Sequence, residues 1–274
     1  MKIAFCTCVQ IGLSCIESVL EIGGSFDLFI TLNDEKARNK SGRIFLDEKS
    51  NETGTPLIKI NHVNDQETIN ALREHKIDWL FIIGWSQIAA KHILDAPTYG
   101  VIGAHPTLLP VGRGRAAVPW AILKGLDKTG VSFFKMDEGV DTGLILGQEE
   151  ILLTKTETAK VLYDKVNCAH ERLIKNIWPL LLANTIEGVV QDETKATYWE
   201  GRKQDDGKID CSKMSKIWVD KLVRATTRPY PGAFLQLPKG RRKIIWRGSL
   251  SKVIGAEKVK LADGFYYILE SSIE

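Results

Sequence analysis

One histidine and one aspartate in this 274-residue chain stand where proton transfer could be carried out. His105 follows the short apolar run Gly100–Ala104, and Asp141 sits in the acidic loop Asp137–Gly143 after a second run, Val131–Lys135. An amine attacks an acyl carbon only as the free base, and it must lose a proton as the new bond forms. Histidine titrates near neutral pH and can take that proton, while a carboxylate orients the ring and stabilises its charged form. Each residue also has a plainer reading. A histidine after a strand is often structural, and Asp141-Thr142-Gly143 is turn chemistry in its own right. Residue types and spacing leave both readings open.

The elements that must position these groups read as an α/β pattern. Short apolar runs (Lys2–Cys8, Phe26–Leu32, Pro56–Ile60, Trp79–Ile83, Gly100–Ala104) alternate with helical segments at Ile11–Ile22, Asp65–His75 and near Ala89–Leu94. That alternation predicts a Rossmann-like, mostly parallel sheet flanked by helices. Ligands bind such sheets outside the carboxyl ends of the strands. Adjacent parallel strands ending at Ala104 and Lys135 would bring their trailing loops, and so His105 and Asp141, together. Asn33–Thr55 is polar and reads as a loop with at most a short helix. The segment from His105 to Arg115 is too dense in Gly and Pro for a regular element. A helix starts near Pro119, and a long amphipathic helix covers Ala159–Leu182. Three β-rich runs (Gly232–Leu237, Lys243–Trp246, Lys258–Leu269) predict a smaller, mainly β subdomain at 196–274 after a catalytic domain at 1–195.

Composition narrows the partners. Hydrophobic residues are 44% and charged residues 26%, and the net charge is +3, too small to demand a nucleic-acid or membrane surface. The densest basic run, Lys239 with Arg241, Arg242 and Lys243 near Arg247, reads as a solvated turn or an anion contact. Five cysteines (6, 8, 15, 168, 211) show neither CxxC nor Cys/His zinc spacing, so no metal site is expected. With no apolar run long enough to span a bilayer and no leader pattern, a reducing cytoplasm is the expected compartment.

His105-Pro106-Thr107-Leu108-Leu109-Pro110, then Gly112-Arg113-Gly114-Arg115-Ala116, Thr129-Gly130-Val131 and Asp141-Thr142-Gly143, together resemble the formyltetrahydrofolate-dependent formyltransferases. The resemblance extends from Gly84-Trp85-Ser86-Gln87 to Arg228-Pro229-Tyr230-Pro231-Gly232-Ala233-Phe234. It implies that His105 is the catalytic base, that Asp141 is its partner and that N10-formyltetrahydrofolate is the co-substrate. It places the pterin between Ile83, Trp85, Ser86 and Gln87 on one side and Asp137, Glu138 and Val140 on the other, with Arg115 beside the co-substrate. Within the family, Arg-Gly-Arg-Ala followed by Pro119-Trp120 is most similar to the nucleotide-sugar N-formyltransferases. That similarity implies acceptor contacts from Arg113, Trp199, Arg202, Lys203 and Tyr230. It also implies a nucleotide-linked amino sugar of the lipopolysaccharide O-antigen kind as partner, no nucleic acid, and a homodimer.

One departure stands out. The family usually carries asparagine two residues before the histidine, and here that position is Gly103. Glycine offers no side-chain donor to a developing oxyanion, a loss worth on the order of 100-fold in rate. Backbone N–H groups, a water or another donor would then substitute, or His105 carries more of the chemistry, or activity is weakened. Three alternatives therefore remain. Methionyl-tRNA could be the acceptor, although a tRNA partner usually asks for a basic face. The protein could bind folate and nucleotide with little turnover. A dinucleotide-dependent dehydrogenase fits least, because Thr7-Cys8-Val9-Gln10-Ile11-Gly12 lacks the GxGxxG turn.

Overall fold

Alternation within each short strand decides the architecture. The computed structural model describes residues 1–37 and 42–274. In chain order the first elements are β1 (Ile3–Cys6), α1 (Gln10–Glu21), β2 (Leu28–Leu32), α2 (Asp34–Ala37), α3 (Asp47–Thr53), β3 (Leu57–Ile60) and α4 (Gln66–Glu74). Next come β4 (Trp79–Ile82), α5 (Lys91–Leu94), β5 (Gly100–His105), β6 (Arg113–Gly114), α6 (Ala117–Lys124), β7 (Lys128–Lys135) and β8 (Ile145–Leu152). The last are α7 (Ala159–Leu182), β9 (Tyr198–Trp199), α8 (Lys216–Thr226), β10 (Ala233–Gln236), β11 (Arg242–Ser249), β12 (Glu257–Leu261) and β13 (Gly264–Ile273). Among the described residues of 33–55, α2 and α3 are short helices; positions 38–41 of the expected loop lie outside the described residues.

The large sheet has the order β3-β2-β1-β4-β5-β7-β8. Strands β1 to β5 pair in parallel. Ala4, Cys6, Leu80 and Ile82 share an aliphatic core with Ile69 and Leu72 of α4 and Ile93 of α5. The intervening side chains serve the opposite face: Phe5 stacks on Phe81 at 5.5 Å, and Phe81 lies 6.3 Å from Trp178 of α7. Strands buried on both faces need continuous apolar runs, so the sequence of this sheet was readable.

The expectation that the strands ending at Ala104 and Lys135 are parallel is corrected. β7 runs antiparallel to β5, with Ile102 opposite Lys135 and His105 opposite Ser132. Strand β8, which the sequence reading did not anticipate, closes an antiparallel hairpin with β7 through Lys135 N–H to Leu144 O at 2.8 Å. β8 alternates half-buried and exposed residues and includes two glutamates, so it carries no continuous apolar signal.

Two compact units interleave along the chain. The first takes Met1–Arg113, Gly130–Glu150 and Val166–Tyr198; the second takes Gly114–Thr129, Ile151–Lys165 and Trp199–Glu274. The second is built on the antiparallel sheet β10-β11-β13-β12 with α8 against it, where Tyr266 Oη donates to Asp220 at 3.3 Å. The third β-rich run of the sequence divides into the hairpin β12–β13, turning at Ala262-Asp263. Its basic run is solvated and paired: Arg242 reaches Asp205 at 3.0 Å, and Lys243 pairs with Glu257.

Candidate active site

His105 ends β5, is 7% exposed, and lies between two acceptors. Its Nε2 is 2.7 Å from the carbonyl oxygen of Gly112, and its Nδ1 is 3.4 Å from Oδ2 of Asp141. A carbonyl oxygen only accepts, so Nε2 carries a proton; Nδ1, which faces the carboxylate, has a free lone pair in the neutral ring and donates to Asp141 in the charged one. Because β7 is antiparallel to β5, Asp141 reaches this place only because the loop after β7 doubles back. Asp141 itself adopts the left-handed conformation, with φ at 56°. Such a conformation is uncommon for a residue with a side chain, although aspartate enters it more readily than most.

Gln191 holds it. The Nε2 of Gln191 donates to the carbonyl oxygens of Asp141 and Gly143, both at 2.8 Å. Within the loop, Asp137 Oδ1 accepts from Gly139 N at 3.0 Å and from Thr142 Oγ1 at 2.6 Å. Gly143 is required sterically, since a Cβ there would collide with the carbonyl of Lys135.

The histidine loop is fixed as tightly. Ser132 Oγ donates to Thr107 O at 2.7 Å and accepts from Leu109 N at 3.0 Å. Gln148 Nε2 reaches Leu109 O at 2.9 Å and Ser132 Oγ at 2.7 Å. At the far end of the loop, Gly112 N donates to Thr197 Oγ1 at 2.8 Å. Sequence reasoning missed Ser132, Gln148, Gln191 and Thr197. Each is a neutral polar residue with no local motif, recognisable only by what it bonds.

Arg113 is placed differently from the expected substrate contact. Its side chain is fully buried, and all five N–H donors are used within the first unit. Nε and Nη2 meet Gln191 Oε1 at 3.1 and 2.8 Å, Nη1 meets Glu193 Oε2 at 2.9 Å and Tyr198 Oη at 2.8 Å, and Nη2 meets Glu193 Oε1 at 2.6 Å. The fork against Glu193 raises the guanidinium's affinity for its proton and lowers the pKa of the Glu193 carboxyl. No donor is left over for a phosphate.

The expected pterin segments lie on the first unit. Ile83 is buried, Trp85 is half-buried and Ser86 is exposed. Gln87 is engaged with its neighbours, accepting from Trp85 Nε1 at 3.1 Å and Val63 N at 2.8 Å. Trp85 and Met136 pack on the same aliphatic core, and Lys91 of α5 bridges to Glu138 at 3.0 Å. Val140 is 55% exposed, an apolar side chain immediately before Asp141. At Gly103 a Cβ would lie 2.9 Å from Met136 Cγ and 3.1 Å from Phe134 Cζ. The position where the resemblance leads one to expect asparagine is therefore closed over by Met136.

The remaining candidates belong to the second unit. Arg202, Lys203 and Tyr230 come together around a hollow of about 130 Å³, with Ala116, Pro119 and Thr226 among its walls. Arg202 stacks 5.2 Å above Trp120 and donates to Asp206 O at 2.9 Å; burial lowers its pKa. Burial also pushes the Tyr230 phenol up. Trp199, an expected acceptor contact, is only 7% exposed and packs in the second unit. Arg115 is exposed, with its guanidinium beside Gly201. Among the described residues no cluster of His, Cys, Asp and Glu could hold a metal ion, and no helix is long and apolar enough to cross a membrane.

The formyl transferase family model matches residues 31–177. This chain belongs to the formyl transferase family. Its relatives include the methionyl-tRNA formyltransferase of Lachnospira eligens, 28% identical over 95% of this chain and 83% of that protein. In fold it is similar to the N-formyltransferase from Helicobacter canadensis, solved in complex with folinic acid and dTDP-3-aminofucose. That likeness has a TM-score of 0.73 at 20% identity and covers 99% of this chain and 100% of that one. The methionyl-tRNA formyltransferase from Clostridium thermocellum is also similar, with a TM-score of 0.65 at 20% identity, over 100% of this chain and 98% of that one. As a formyl transferase, the chain is an enzyme of one-carbon acyl transfer, and His105 and Asp141 lie within the matched segment.

Proposed function

We propose that this formyl transferase moves the formyl group of N10-formyltetrahydrofolate to the primary amine of a nucleotide-linked amino sugar. The observation that carries the chemistry is the imidazole of His105 set between Gly112 O and the Asp141 carboxylate. With Nε2–H committed to the carbonyl, Nδ1 is the base. The amine nitrogen attacks the formyl carbon, Nδ1 takes the amine proton, and the resulting imidazolium is stabilised on both sides. As the bond from the formyl carbon to N10 breaks, the same proton passes to N10 of the departing tetrahydrofolate. In this arrangement Gly112 orients the ring and Asp141 supports its charge. Val140, Trp85 and the exposed residues Asp137–Val140 of the aspartate loop offer the apolar face and polar edge that a pterin needs.

For the acceptor, the hollow carrying Arg202, Lys203 and Tyr230 suits a nucleoside diphosphate. It supplies two cations, and Arg202 bonds the Asp206 carbonyl oxygen and lies over the Trp120 indole. A net charge of +3 supports a small acceptor over a tRNA. The second reading, methionyl-tRNA as acceptor, is favoured by the names of the sequence relatives. One experiment separates them: N10-formyltetrahydrofolate with a panel of nucleotide-linked 3-amino and 4-amino sugars beside methionyl-tRNA, read by the mass gain of one formyl group. We expect a sugar to be formylated, with the rate falling about 1,000-fold in His105→Ala. Formylation of methionyl-tRNA alone would replace the sugar reading.

A further inference from the structure

Both reacting groups are held by one short stretch of chain that carries no reacting group of its own. Gln191 grips the aspartate loop through the carbonyls of Asp141 and Gly143. Six residues later, Thr197 grips the histidine loop, accepting from Gly112 N, while Thr197 N donates to Pro110 O at 3.2 Å and Arg113 N donates to Thr197 O at 2.9 Å. Gly112 is the residue whose carbonyl oxygen fixes His105. The stretch between them is locked by Arg113, whose guanidinium ties Gln191, Glu193 and Tyr198 together. Asp192 Oδ1 accepts from Thr194 N at 3.1 Å, starting the 3-10 turn at Glu193–Lys195 and fixing the span between the two grips.

We propose that Gln191 and Thr197 are positioning residues: the segment 191–198, locked by Arg113, sets the distance between His105 and Asp141. The inference rests on the reading that these two residues are the reacting pair. Bonds from Asp137 inside one loop, and from Ser132 and Gln148 to the other, shape each loop but do not connect the two. Asp141 sits in the left-handed region, and the antiparallel direction of β7 sends its loop away from His105 unless something draws it back. Gln191 supplies that restraint with both N–H bonds of its amide, and its Oε1 in turn accepts twice from a buried arginine. The amide is thereby fixed in orientation: a carboxylate at 191 would satisfy Arg113 but present oxygen to two carbonyl oxygens. Misplacement of a reacting group by about 1 Å costs roughly 100-fold in rate, so small changes at this distance are measurable.

The test uses the full chain, N10-formyltetrahydrofolate and a dTDP-linked 3-amino sugar, or methionyl-tRNA if that is the acceptor the wild type takes. Gln191→Glu should lower kcat about 100-fold while leaving KM for the folate within about 3-fold. On an Asp141→Asn background the same change should cost less than about 3-fold, because its route of action has already been removed. Thr197→Val should lower kcat about 10-fold and Thr197→Ser should restore it, since only the hydroxyl accepts from Gly112. A crystal structure of Gln191→Glu should show His105 Nδ1 and Asp141 Oδ2 further apart than their present 3.4 Å. An unchanged separation, an unchanged kcat, or an equal loss on both backgrounds would overturn the proposal. If His105→Ala and Asp141→Asn instead retain wild-type rates, it is the reacting-pair reading that falls, and the crystal structure still decides whether Gln191 holds the loop.

Discussion

The His105 region and the Arg202 hollow use the same kinds of side chain in opposite ways. In the first unit Arg113 is buried, and every N–H it owns is answered by protein. In the second unit Arg202 is half-buried and rests on an indole and a carbonyl oxygen. A guanidinium whose donors are all satisfied fixes geometry; one that is partly desolvated and under-bonded is prepared for an anion that arrives later. Sequence alone treats the two arginines alike, since both stand near Gly and aromatic residues. Only their bonding in the fold tells them apart.

The largest effect expected from this contrast is on folding. Arg113→Ala removes five donors and leaves Gln191 Oε1 and Tyr198 Oη facing a cavity, at a cost of about 4 kcal/mol in urea denaturation. A loss below about 1 kcal/mol would mean that the first region is not locked.

A second consequence of tight packing is a histidine that cannot charge. His170 of α7 is buried, with its Nδ1 bonded to Val166 O at 2.8 Å and its ring 5.6 Å from Phe133. Burial, with a smaller contribution from His105, lowers its pKa from 6.5 to about 4. The unfolded chain therefore takes up this proton first. The stability associated with the neutral ring is complete above pH 6.5 and is lost as pH falls toward 4. The slope should amount to about 3 kcal/mol over that window, and His170→Asn should flatten it in a pH series of denaturation midpoints. An unaltered slope would place the acid sensitivity elsewhere.

The smallest effect sharpens the other side of the comparison. Arg202→Met should change folding stability by less than about 1 kcal/mol and leave kcat intact. It should raise KM for a nucleotide-linked sugar about 10-fold, equivalent to about 1.4 kcal/mol. A fall in kcat with unchanged KM would show that Arg202 is not a binding group.

What could be read beforehand follows from the range of the interactions involved. The parallel core announced itself because β1, β2 and β4 are buried on both faces and need unbroken apolar runs. The 24-residue helix α7 was legible for the same local reason, an amphipathic period sustained over many turns. β8 was not, because one face of it is wet and its glutamates interrupt the pattern. The direction of β7 was not legible either, since a strand reads the same either way until its partner is known.

The amino-acid sequence by itself determined the fold class and the family, because these depend on local periodicity and on motifs contiguous in the chain. The tertiary structure alone decided that His105 Nε2 meets Gly112 O, that the Arg113 donors are all spent on protein acceptors, and that Gln191 and Thr197 bond the two loops. Those are hydrogen bonds between residues as many as 85 positions apart. A hydrogen bond depends on distance and direction in space, and neither is written in the order of the residues.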